Sequence, residues 1–152
     1  MNAGTLELRV LGVAQVEEIK SFFANIFTKE PWYDDWSDEV QLHAYIMDLI
    51  DNKNSLTLGL FEADELVGLT MGSIKHWYTG TEYCIDEFCI RTEAQGRGLG
   101  TCLLKEVERY ITSKGVSRLF LQTERSVPAY HFYKKNGLVE MEGHVSFHKT
   151  CG

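Results

Sequence analysis

Between residues 95 and 100 the chain reads QGRGLG, with glycine at every second position. An amphipathic apolar pattern follows at once: Leu103, Leu104, Val107 and Ile111 recur at helical spacing, and Gly115 closes the run. The apolar residues of TEYCIDEFCIRT, residues 81–92, precede it and read as a strand. Strand, glycine turn and helix in that order constrain the fold more than any other feature. Glycine lets a backbone turn tightly and lets a ligand come close to it. The first amides of a helix have no internal partner and sit at the positive end of its dipole. A turn of this kind is a place for an anionic group such as phosphate. The GxxxxGK[ST] phosphate loop is absent, and GxGxxG fails at its last position, where Leu103 stands.

The remaining elements follow from periodicity. Residues 5–12 and two runs within 54–75, flanking EADE, read as strands, the latter pair as a hairpin. Residues 13–29 and 39–52 read as helices, the second capped by Ser37 or Asp38. Residues 116–124 read as a strand and 127–137 as a helix with Pro128 near its start and Gly137 past its end. Residues 138–150 read as a last hairpin. The expectation is a single α/β (α+β) domain over residues 1–152. It has about four helices around a mixed, mostly antiparallel sheet of about six or seven strands.

Net charge is −7, which disfavours a nucleic-acid surface and suits a cationic small molecule. No apolar run approaches the ~20 residues of a membrane helix, and the first residues carry no basic-then-apolar signal. No membrane partner and a cytoplasmic location are therefore expected. The cysteines, Cys84, Cys89, Cys102 and Cys151, lack metal-site spacing and read as reduced thiols, with no metal expected.

Two segments together resemble the GNAT superfamily of acetyl-CoA-dependent N-acetyltransferases. QGRGLG matches that family's Q/R-x-x-G-x-G/A turn, and PAYHFYKKNGL, residues 128–138, is similar to its A-x-x-F-Y-x-K-x-G-F segment. The strand around CIDEFCI is similar to that of some aminoglycoside 6'-N-acetyltransferases. Ser126 stands where the family often has Asn, and Leu138 where it has an aromatic.

The resemblance implies splayed central strands that form an acetyl-CoA cleft, with acetyl-CoA as donor and CoA as product. Gln95, Gly96, Arg97, Gly98, Leu99, Gly100 and Thr101 would hold the pyrophosphate. Phe88, Cys89 and Ile90, with Ser126 and Tyr130, would hold the pantetheine arm. Tyr133 would protonate the leaving sulfur; a phenol near pKa ~10 carries its proton at neutral pH. Asp86 ranks first and Glu87 second as the base, acting through water, and adjacent strand residues face opposite ways unless a bulge intervenes.

The acceptor pocket is expected from residues 30–39 and 75–83. Trp32, Tyr33, Trp36, Trp77 and Tyr78 form an aromatic wall, while Glu30, Asp34, Asp35 and Glu82 attract a cation. A small amine such as an aminoglycoside or polyamine is the expected acceptor. A protein or peptide amine, a non-catalytic CoA sensor and a turn with only a structural role remain open alternatives. Residues 138–149 offer strands through which two copies would pair as a homodimer.

Overall fold

A computed structural model describes residues 4–152 of the chain. It resolves into two compact units, one ending at Gln122 and one running Thr123–Gly152.

The larger unit is an open five-stranded sheet in chain order: β1 Leu6–Leu11, β2 Ser55–Glu62, β3 Glu65–Trp77, β4 Gly80–Ile90 and β5 Arg118–Leu121. β1 to β4 pair antiparallel, and β4 pairs with β5 in parallel. The β4–β5 ladder joins Glu82–Ile85 to β5, and β4 then runs on for five residues beyond it.

Helices α1 Val16–Phe27 and α2 Glu39–Ile50 cover one face; α3 Leu99–Ser113 covers the other. Each buries the stripe its sequence spaces at three and four residues. Ile19, Phe22, Phe23 and Ile26 of α1 meet Leu42, Ile46 and Ile50 of α2 over Leu69, Met71 and Cys89. Leu99, Leu103, Val107 and Ile111 of α3 pack on Leu58, Leu60, Tyr83 and Ile85. Such side chains contribute roughly 1.5–3 kcal/mol each when fully buried. Asp38 is the residue that caps α2, accepting from the Gln41 amide at 3.1 Å. EADE is a two-residue hairpin turn: Ala63 and Asp64 take φ of 50° and 63° between Glu62 and Glu65.

The smaller unit holds α4, Pro128–Lys135, with Pro128 at its first turn. Arg125 and Tyr130 both bind Glu140, at 2.6 and 2.8 Å, and bring the following segment back toward the helix. Residues 138–152 form no strand, so the last expected hairpin is absent and the sheet has five strands rather than six or seven. Val139, Val145 and Phe147 of that segment are exposed, so it has no apolar face buried to hold a ladder in register. Residues 75–83, expected to help shape the acceptor pocket, are strand and turn. They extend β3 and β4 into a long hairpin rather than a mid-sheet loop.

Candidate active site

The site grows from an irregularity in β4. Met71 pairs with Glu87 and Gly72 with Ile85, so Asp86 is an extra residue bulged from the ladder. Gly72 makes the bulge possible: a Cβ there would stand 2.2 Å from the carbonyl oxygen of Cys84. One extra residue shifts the strand's alternation by one. Before the bulge, Tyr83 and Ile85 face α3; beyond it, Phe88 and Ile90 face α3, and Cys89 faces α1 and α2. Glu87 turns to the same side as Cys89.

On that side Tyr45 of α2 donates its hydroxyl to Glu87 Oε1 at 2.6 Å. The Tyr45 ring stacks on Trp36 with centroids 5.2 Å apart and planes at 20°, and Phe23 contacts both rings. The Trp36 indole nitrogen is shielded from solvent and has no protein partner among the described residues. Burial raises the Glu87 pKa; the Tyr45 hydrogen bond opposes that, and the charges of Asp86 and Asp34 add to it. Burial also raises Asp86, which is exposed at the bulge, and Lys75 draws it back down. The Tyr45 phenol is raised by burial and by Glu87, so it stays a donor. Burial likewise raises the Cys89 thiol, which leaves it protonated and inert.

The glycine turn begins beyond the end of β4. Gln95 Nε2 donates to the Ile90 carbonyl at 3.2 Å and ties the turn to the strand. Gly96 and Gly98 have φ of 80° and 76°, left-handed values that disfavour other residues, and a Cβ on either would meet nothing within 4 Å. Gly98 is the N-cap of α3 and supplies no side-chain hydrogen bond to the first amides of the helix, and the space beside its Cα is open. Arg97 does not stand free beside them, since Glu62 of β2 holds both its terminal nitrogens, at 2.8 and 3.2 Å.

The expected acceptor residues divide. Trp36 joins the wall over Glu87, and Asp34 acts on it. Trp32 is partly buried against Phe27, Tyr33 is exposed, and Asp35 accepts from the amide and hydroxyl of Ser37, which lower its pKa. Trp77 and Tyr78 pack on each other at the tip of the β3–β4 hairpin. That tip is seven residues along the strand from Glu87, roughly 23 Å, so they do not share a wall with Trp36. Glu82 sits 3.6 Å from Arg118. Tyr133 is the buried residue of α4, edge-on to Phe132, and Tyr130 is held by Glu140. Tyr45, Gly72 and Glu62 escaped the sequence reading. Tyr45 carried one signal, a hydroxyl on an otherwise apolar helix stripe; Gly72 carried another, a glycine inside a strand pattern, which suggests a bulge; Glu62 carried none.

The acetyltransferase (GNAT) family model matches residues 16–138. The chain belongs to that family. No curated protein sequence matches it significantly. Among solved structures, an aminoglycoside acetyltransferase from an uncultured soil metagenomic sample, in complex with sisomicin, is similar at TM-score 0.73 and 19% identity, over 97% of each chain. A possible acetyltransferase from Clostridium difficile 630 gives 0.81 and 15%, over 97% of this chain and 99% of its own. AAC(6')-Iy, solved with a bisubstrate analog joining CoA to acetylneamine, gives 0.72 and 17%, over 97% and 99%. At such identities the likeness speaks for the fold. The GNAT turn fits an anionic CoA moiety on this chain's own geometry: open glycines in left-handed conformation, and uncapped helix amides behind them. Among the described residues, no helix is long and apolar enough to cross a membrane.

Proposed function

We propose that this protein moves an acetyl group from acetyl-CoA directly to a primary amine of a small cationic acceptor, with aminoglycosides and polyamines as the classes to try first. The observation that carries the acceptor side is Glu87. It is a half-buried carboxylate beneath stacked aromatics, with Asp34 and Asp86 adding negative charge around it. Such a group attracts an ammonium and, as a carboxylate, takes its proton through water. The bulge supports Glu87 ahead of Asp86 for this role, the reverse of the order that plain sequence suggests, because it turns Glu87 toward α2 and leaves Asp86 exposed.

Acetyl-CoA supplies the activated acetyl thioester. Residues 95–101 would hold its pyrophosphate through the amides at the start of α3, and Arg97 would be shared between that phosphate and Glu62. Phe88, Cys89 and Ile90, on the part of β4 past its ladder with β5, would hold the pantetheine arm, and a backbone amide there would meet the developing oxyanion. Ser126 and Tyr130 are assigned to the same arm. Tyr133 would keep a proton at Oη for the departing sulfur.

The reading takes the chain as one functional domain, which the family match supports by running from residue 16 to residue 138, past the end of the first unit. Free thiols at all four cysteines agree with a reducing, cytoplasmic setting. The alternation of Val139 and Met141, then Val145 and Phe147, supports pairing of two copies through that segment.

The test is thiol release from acetyl-CoA against a panel of aminoglycosides, polyamines, amino acids and peptides. Release with a polycation supports the reading. Release only with peptides moves the acceptor to the protein class, and silence with CoA binding intact favours a sensor.

A further inference from the structure

Resting on that reading, we propose that Tyr45 is a positioning residue of the reaction: it holds Glu87 as a carboxylate with one oxygen tied and the other turned to the acceptor amine. Three observations carry this. The Tyr45 hydroxyl is 2.6 Å from Glu87 Oε1, a short charge-assisted bond. The bulge at Asp86 turns Glu87 to the α2 side of the sheet, so carboxylate and hydroxyl face each other directly. The ring that carries the hydroxyl is itself fixed, stacked on Trp36 and packed against Phe23 of α1.

A half-buried carboxylate beside two other acids tends to keep its proton, and a protonated Glu87 neither attracts an ammonium nor takes a proton from one. The groups that bear on it are Tyr45 from α2, Asp34 from the α1–α2 segment, and Asp86 on its own strand; Met71, its partner on β3, is apolar. Asp34 and Asp86 both favour the protonated acid, and Tyr45 alone of the three favours the carboxylate. Burial raises the Glu87 pKa most, and the Tyr45–Glu87 bond is the contact that opposes it, so losing the bond moves the working pH of the site upward. The bond also engages Oε1, which leaves Oε2 for the acceptor.

The full chain carrying Tyr45→Phe keeps the ring and loses only the hydroxyl, so its packing survives. The readouts are the midpoint of Glu87, by carbon-13 carboxyl NMR assigned with Glu87→Gln, and the pH profile of kcat/KM with acetyl-CoA and sisomicin. In the variant both the midpoint and the acidic limb of the profile rise together by about 1 pH unit, and above both limbs a loss of several-fold remains, because the carboxylate is ionised there but no longer oriented. In a Glu87→Gln background the same change adds little further loss, since the two residues act as one unit.

A fall in kcat/KM at every pH with the Glu87 midpoint unmoved overturns the proposal, and so does a midpoint that moves while the limb stays. If the unaltered protein turns over none of the amines while the midpoint still moves, the acetyl-transfer reading fails. Tyr45 then has only a structural bond, which overturns the proposal through a different arm of the experiment.

Discussion

Gly72 and Gly98 are the same residue for opposite reasons. At Gly72 the backbone is closed in: a Cβ would lie 2.2 Å from the Cys84 carbonyl, and the bulge at Asp86 exists because there is none. At Gly98 the space is open, and what excludes other residues is a φ of 76°. The first glycine aims a side chain, Glu87, by allowing one strand to carry a residue more than its neighbour. The second leaves the start of α3 without a side-chain cap and with open space beside it. One site works by crowding and the other by clearance.

The sharpest way to break this contrast is Gly72→Ala. The added methyl meets backbone, which cannot rotate away, so unfolding free energy falls by about 3 kcal/mol in urea denaturation. A loss below ~1 kcal/mol would mean that the strands slide and the bulge is not locked.

Gly98→Val tests the open side. The left-handed conformation costs about 1–2 kcal/mol with a Cβ present, a smaller loss of stability than at Gly72. The side chain then stands in the approach to the amides, and CoA affinity by calorimetry falls about 100-fold, or ~2.7 kcal/mol. Retained affinity removes the cradle.

Glu87→Gln and Asp86→Asn sharpen the bulge side. With a cationic amine, Glu87→Gln lowers kcat/KM about 100-fold and Asp86→Asn by several-fold less. Because burial raises the Glu87 pKa, activity is gained as pH rises through a midpoint above the ordinary glutamate value. The reverse order of the two mutants would return the base to Asp86.

The smallest effect belongs to Thr57, which faces Met71 across the ladder beside Gly72. Its hydroxyl is buried without a partner among the described residues. Thr57→Val keeps the shape, removes the unsatisfied group and raises stability by about 1 kcal/mol. An unchanged or lower stability would show the hydroxyl to be satisfied in solution.

Much of this was legible beforehand. The helix stripes of α1 and α3, the EADE hairpin, the Asp38 cap and the glycine turn are local, and each depends on residues within a few positions of one another. The acceptor wall was legible only in part. Trp32, Tyr33, Trp77 and Tyr78 carry the right chemistry, yet they pack against Phe27, stand exposed or lie at a distant hairpin tip. Periodicity names side chains that can be buried together; it does not say which will share a cavity. The final hairpin failed for a related reason: residues 138–150 alternate like strands, but a strand needs a partner edge, and no strand forms there.

The sequence by itself determined the helices, the turn and the family, because these depend on spacing along the chain and on the conformational freedom of glycine. Only the tertiary structure decided which carboxylate faces α2. That choice turns on a single extra residue in β4, opposite a glycine on β3 that leaves room for it. A one-residue shift reverses every side chain after it. Tyr45 and Glu87 are 42 positions apart in the chain, and only folding brings hydroxyl and carboxylate together.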